Sequence, residues 1–485
     1  FKPDLAFYIF KEKSMNRFLP TAIYLSVFIT SLIFHEMSRL LVWVLLTVSL
    51  LSIIDKMGKG IVLRESIAFL YIMTCLVMPI MGYDIYNQNF HRAGSVGYTM
   101  QVTETIYFSY VIPAVTGFCL TITFPLQSKD YSDDNPGISK ILERATVILK
   151  NEQVLGIVIM FAGLMSFAFN KILPVSLQYV STILFLTCFV SLLYIYYSPN
   201  RSNKSIIILT FSSAILFYSM SIGMFTIMIY MGITISSFFF LGNKMSLFRK
   251  VTILLAAFFI ITVIQNTKRT FRNIVFNKGS DNKVELFAKL FVENLSSGTG
   301  LFESKAFFPV YLRLNQGWII SKVIHRFPAV KEHDNGKVLF NSIFASFIPR
   351  FLWPDKPTAD GHFNMRYYAG TKLSKYTSMN VGPLGESYAS FGAIGGIAFL
   401  FLIGVFIRWV YGLIFSLSRH VPLIIFWIPV MFYQITYSAE TDLMQILNSI
   451  IKVSVFMSVI YFFLPSWLGR RRSTNASRQM TLSLQ

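Results

Sequence analysis

The sequence predicts an all-α polytopic membrane protein of about twelve transmembrane helices, with one large outer loop between the ninth and tenth spans. Three observations predict it. Hydrophobic residues make up 54% of the chain and charged residues 14%, well below the roughly 25% charge of a soluble domain. Apolar runs of about 16–20 residues recur along nearly the whole length, which suits a bilayer core roughly 30 Å thick. These runs do not alternate, so each satisfies its own backbone hydrogen bonds as a helix and not as a barrel strand. The third observation is that cations gather in alternate loops, which accounts for much of the net charge of +20 without a nucleic-acid partner. Cys75, Cys119 and Cys188 all fall inside apolar runs, so neither a disulfide framework nor a zinc site is expected.

Lys2, Lys11, Lys13 and Arg17 precede the first run, Phe18 to Phe34, and place the N-terminus in the cytoplasm; no cleavable signal peptide is expected. The second span covers Leu40 to Ile54, and Lys56, Lys59 and Arg64 mark the inner loop after it. The third ends near Gly82 and leads to a polar, aromatic outer loop with Arg92 as its cation. The fourth, Ile106 to Pro125, returns to an inner segment in which Ile138, Ile141, Ala145 and Ile148 repeat at helical spacing, as in a helix lying on the membrane surface. Spans five and six are Val154 to Phe169 and Tyr179 to Tyr197. The uncharged run Ile206 to Leu241 is too long for one helix and divides near Ser221-Ile222-Gly223. The ninth span runs from Val251 to about Gln265, the tenth from Gly392 to about Phe415, the eleventh from Val421 to Tyr437, and the twelfth ends at Leu464. Arg470, Arg471, Arg472 and Arg478 keep the C-terminus inside.

Residues 1–265 thus form an N-terminal membrane bundle, 266–391 the outer loop, and 392–485 three further spans with a basic tail. A loop of this length is seldom idle. Short amphipathic helices are expected around Leu290, Phe291 and Leu295, over Trp318 to His325, and over Asn341 to Ile348, the last stopped by Pro349. Trp353 is suited to anchor at the interface, so the loop is expected to fold down onto the membrane lipids.

The loop is rich in cations, among them Arg313, Lys322, Arg326, Arg350, Lys356, Arg366, Lys372 and Lys375. A positive outer surface at the bilayer suits a lipid-linked anion, because guanidinium groups hold phosphate oxygens bidentately. Arg350 is singled out because Pro349, Phe351, Leu352, Trp353 and Pro354 bracket it with apolar groups, among which a charge needs a partner. Glu386 sits near the start of the tenth span, where it serves either as a carboxylate at a helix N-terminus or as a general base for a hydroxyl. His325 and His362 are lone histidines, more often structural than catalytic. Arg408 and Lys452 fall within spans and are expected to pair, snorkel or line a cavity, with Glu440 and Asp442 near Lys452 in sequence.

The segment Ile348-Pro349-Arg350-Phe351-Leu352-Trp353-Pro354-Asp355-Lys356-Pro357, followed by Gly385-Glu386-Ser387-Tyr388 and Phe391-Gly392, resembles the Wzy-type oligosaccharide repeat-unit polymerases of bacterial O-antigen, capsule and exopolysaccharide. The segment from Arg313 to Pro328 is similar too; elsewhere the likeness is the many-span plan alone. The resemblance implies a GT-C-like membrane glycosyltransferase in the bacterial inner membrane. It would pass a growing glycan from undecaprenyl diphosphate to a sugar hydroxyl of a new lipid-linked repeat unit on the outer face. Arginines of outer loops are that family's functional residues, and the spacing of Arg350 to Gly361 fits one of its patterns, whereas Arg313 has no such match. On this footing Arg350, Glu386 and Arg313 are the candidate catalytic residues. Arg366, Arg326, Lys356, Trp353, Tyr388 and His325 are the candidate contacts to diphosphate and sugar. Diphosphate leaves readily, so neither metal nor cofactor is expected; a chain-length regulator is an expected partner.

Two other readings stay open. O-antigen ligases share the plan and differ in acceptor. Asp55-Lys56-Met57-Gly58-Lys59-Gly60-Ile61-Val62-Leu63 looks like the inner-loop motif of major-facilitator transporters, but the two halves of the chain show no similarity to each other.

Overall fold

The computed structural model describes residues 17–86, 98–126, 132–170, 172–199, 203–222, 225–278, 282–296, 298–350, 352–374, 377 and 379–470. Of the residues singled out above, Lys2, Lys11, Lys13, Arg92, Gly223, Phe351, Lys375, Arg471, Arg472 and Arg478 lie outside these. The described residues are helical and form no strand; one isolated bridge joins Gly60 to Asp134. Among the described residues eight helices are long and apolar enough to cross a membrane, or nine if one bent pair forms a single span.

The first four helices are α1 (Leu19–Ile33), α2 (Ser38–Lys56), α3 (Leu63–Tyr86) and α4 (Glu104–Thr123). Arg39 clamps the neighbouring ends of α2, α3 and α4, reaching Asp84 at 2.8 Å and Glu104 at 2.7 Å. The expected surface helix is α5 (Gly137–Asn151), whose Ile138, Ile141, Ala145 and Leu149 are buried along one side. It meets α6 (Leu155–Phe169) at 85°. Next come α7 (Val175–Tyr197), α8 (Lys204–Ile222) and α9 (Thr226–Phe240), so the long uncharged run divides where its length required. Small residues bring helices into close contact: a side chain at Gly156 would strike Ile195, and one at Gly163 would strike Cys188.

The ninth apolar run does not stop at Gln265. Helix α10 continues unbroken from Leu247 to Lys278, because Phe271 extends its apolar face and packs with Phe225 and Phe287. The long segment expected as an outer loop folds as α11 (Lys283–Ser296), α12 (Ser304–Leu314), α13 (Gly317–Arg326), α14 (Lys337–Phe347) and α15 (Gly361–Ala369). The pattern of the sequence foreshadows α11, α13 and α14, but not α15, which Asp360 starts by accepting the His362 amide at 2.9 Å.

Helix α16 (Gly382–Leu417) starts ten residues before the expected tenth span and breaks at Gly392, whose φ of 69° a side chain would strain. Pro422 and Pro429 turn the eleventh run into a 3₁₀ stretch, Pro422–Trp427, followed by α17 (Ile428–Thr436). The last α-helix among the described residues is α18 (Leu443–Phe463).

The end opposite the Arg39 clamp holds a buried ionic cluster. Lys56 reaches Asp133 at 2.6 Å and Glu65 at 2.9 Å, while Arg64 grips both Asp133 oxygens at 3.0 and 2.8 Å. Arg64 also donates to the Ile122 and Phe124 carbonyls at the end of α4. The loop with the transporter-like motif is thus a turn at Gly58 whose Lys56 locks α2 to α3 and to the segment before α5. Arg408 is satisfied by the Phe124 and Pro125 carbonyls, and Lys452 sits over the Tyr179 ring at 3.8 Å and not on an acid.

Candidate functional site

The site begins with an irregularity in α3. Residues Met73–Val77 form a π turn, which leaves carbonyls without their usual helical partner. Gln316 donates its amide to the Thr74 carbonyl at 3.0 Å, and the Tyr107 hydroxyl donates to the Cys75 carbonyl at 2.8 Å. Gln316 is thereby fixed to the bundle, and its side chain donates to the Asn380 carbonyl at 2.7 Å. Asn380 in turn donates to Asp442 and accepts from Asn364 at 3.0 Å. A relay of polar side chains thus runs from a membrane helix to one buried carboxylate.

Asp442 is the N-cap of α18 and accepts the Gln445 amide at 2.7 Å. Burial raises its carboxyl above the usual range, against the lowering effect of the Gln445 amide and Asn380. Beside it stands Glu386. The sequence suggests that Glu386 complements the start of its own helix; instead its Oε2 accepts the Leu443 amide at 3.0 Å, capping α18. The break at Gly392 leaves Glu386 on the short first segment of α16, close enough to do this. Its Oε1 has no hydrogen-bond partner among the described residues.

Glu386 and Asp442 floor a cavity of about 530 Å³. Phe340, Phe344, Phe363 and Met444 supply apolar lining, Asn341 and Asn364 polar lining, and Lys337 is exposed at the mouth.

A second grouping lies two residues away along the chain. Glu440 closes the turn after α17 and binds Arg313 on α12 at 2.5 Å. Glu440 holds the Arg313 guanidinium above its ordinary value, against the cost of burial. Lys268 on α10 lies within electrostatic reach of Arg272, Arg313 and Glu440, and the i, i+4 spacing puts Lys268 and Arg272 on one face of the helix. Arg313 and Lys268 therefore share one carboxylate, with Arg272 beside Lys268. The turn shows Glu440 to the cations and Asp442 to the cavity.

The remaining candidates keep different company. Arg350 is exposed and donates to the Pro354 carbonyl at 3.1 Å, so its charge meets solvent and not the apolar surroundings that its neighbours suggest. Lys356 donates to the Ala345 and Ile348 carbonyls at 2.7 Å each and so caps α14. Burial and then Arg350 lower its amine. Trp353 is half-buried, while Arg366 and His325 are exposed. Arg326 holds the Tyr367 carbonyl at 3.2 Å. Tyr388 packs against Tyr110 and His333, with ring centroids 4.7 and 5.8 Å away. Of the predicted residues, Glu386 lines the cavity and Arg313 belongs to the cation cluster. Lys268, Arg272 and Asn380 are not among the predicted residues, and the sequence marks Glu440 and Asp442 only as neighbours of Lys452. The i, i+4 pair of cations at the end of an apolar run was the available signal for Lys268 and Arg272.

Fold and site define an all-helical protein with the apolar helices of a membrane protein and a polar, partly buried site among helix ends. Over residues 139–466 the chain matches, and it belongs to, the family described as a domain of unknown function (DUF8712). No curated protein and no solved structure matches it.

Proposed function

We propose that the protein is a membrane glycosyltransferase that polymerises oligosaccharide repeat units carried on undecaprenyl diphosphate, at the outer face of the bacterial inner membrane. The products are O-antigen, capsule or exopolysaccharide. The reading includes a twelve-span, GT-C-like arrangement with both termini cytoplasmic, and a chain-length regulator as partner. The observation that carries it is the turn bearing Glu440 and Asp442, which sets a cation cluster beside a carboxylate-floored cavity.

Each part has a task in glycosyl transfer. Lys268, Arg272 and Arg313 meet the diphosphate, on which negative charge grows as the anomeric bond breaks. Arg350 and Arg366 add positive charge to the same outer face. The acceptor hydroxyl oxygen bonds to the anomeric carbon as the bond from that carbon to the diphosphate oxygen breaks. The electron pair leaves on the diphosphate, and the hydroxyl proton passes to Glu386.

The test is incubation of the purified protein with a lipid-diphosphate-linked repeat unit, with and without a chelator. A ladder of products in both conditions is expected. Transfer solely to a different lipid acceptor would instead identify a ligase, and solute uptake without glycan products a transporter.

A further inference from the structure

We infer that the cavity above Glu386 and Asp442 binds one uncharged saccharide unit, and that under the function proposed above this unit belongs to the acceptor. At about 530 Å³ the cavity falls within the roughly 300–1,000 Å³ of small-ligand sites, which are mostly apolar with a few convergent polar groups.

Its hydrogen-bonding inventory is lopsided. Both Asp442 oxygens are engaged, one by the Gln445 amide and one by Asn380, and Glu386 Oε2 is taken by Leu443. The Asn364 amide group donates to Asn380, which leaves its carbonyl oxygen available. Glu386 Oε1 and Asn364 Oδ1 are therefore acceptors in want of donors, and hydroxyl groups are donors. Phe344 and Phe363 offer apolar faces to the C–H side of a sugar ring.

Charge narrows the ligand further. Two carboxylates at the floor disfavour an acidic sugar, whose own carboxylate would be placed beside them without a counterion. Lys337 at the mouth disfavours a cationic one. A sugar with free hydroxyls and no net charge satisfies both ends.

The experiment is saturation-transfer NMR on the full chain in nanodiscs. The probes are the methyl glycosides of glucose, galactose, rhamnose, N-acetylglucosamine and N-acetylgalactosamine, set against methyl glucuronide and methyl glucosaminide. Saturation is expected to reach at least one uncharged glycoside, with a preference over both charged ones. Phe363→Ala should weaken that binding roughly three- to tenfold. Phe363 is 39% exposed, so this variant tests the cavity without emptying the core, and Asp442→Asn provides a second reading. A preference for either charged glycoside, no saturation of any uncharged one, or binding indifferent to both variants overturns the inference. Glycoside binding of the expected kind without transfer from a lipid-diphosphate donor upholds the cavity assignment and ends the polymerase reading. Transfer without such binding does the reverse.

Discussion

Arg313 Nη2 lies 2.5 Å from Glu440 Oε2, joining the helix before the Asn315-Gln316 bend to the turn that carries Asp442. If this arginine meets the departing diphosphate, Arg313→Ala should lower turnover of a lipid-diphosphate-linked repeat unit by about two to three orders of magnitude. Arg313→Lys keeps the charge and loses the fork, so it should recover part of that loss. Product ladders from the purified variants decide, and unchanged turnover in the alanine variant would remove Arg313 from the chemistry.

Arg350 makes a different prediction because its side chain is exposed. Arg350→Ala should abolish chain extension while shifting stability by no more than about 0.5 kcal/mol. Arg350→Lys should retain part of the activity. Long-chain polysaccharide from the alanine variant, in cells lacking the native gene, would show that Arg350 is an ordinary surface charge.

Glu386→Gln separates the two tasks of that side chain. The amide oxygen can still accept from Leu443, so α18 stays capped and the protein should fold. The proton acceptor is lost, and the rate should fall by about two to four orders of magnitude. Full turnover with normal melting would leave Glu386 as a helix cap alone.

Asp133 governs acid stability. Burial alone would raise its carboxyl, but Arg64 and Lys56 outweigh burial and hold it at about 2. Its pKa is lower folded than unfolded, so its stabilisation is complete above the unfolded value of about 3.9. It is lost as pH falls from there through about 2. Thermal unfolding in detergent should show that window, and Asp133→Asn should remove it. The same variant leaves the buried Arg64 without its paired carboxylate, while Lys56 keeps Glu65, at a cost of about 3–5 kcal/mol near neutral pH. Parallel melting curves of wild type and variant would refute this.

Much of the fold was legible because span length and apolar composition are local properties. Phe18 to Phe34 became Leu19–Ile33, and the uncharged run parted near Ile222, as its length demanded. Helix ends were harder to read. The contacts of Phe271 with Phe225 and Phe287 carry α10 past Gln265, and residues distant in sequence supply them. The site was half legible for the same reason. Glu386 and Arg313 stand out in the sequence as charges at apolar boundaries, but periodicity does not encode that Glu440 faces Arg313 while Asp442 lies beside Glu386. Proximity in sequence suggested Lys452 for both acids, and a tyrosine ring holds that lysine instead.

The turn through Glu440 and Asp442 has a consequence for diversity among glycans. Under the proposed function, the short backbone path from Glu440 to Asp442 would set the spacing between the departing phosphate and the incoming hydroxyl. That ruler would be the same for every sugar transferred. Relatives that build other polymers are therefore expected to differ in the cavity wall, at positions such as Asn341, Phe344 and Phe363, and to keep the turn. Chemistry and recognition would then be inherited separately, from residues two apart in the chain.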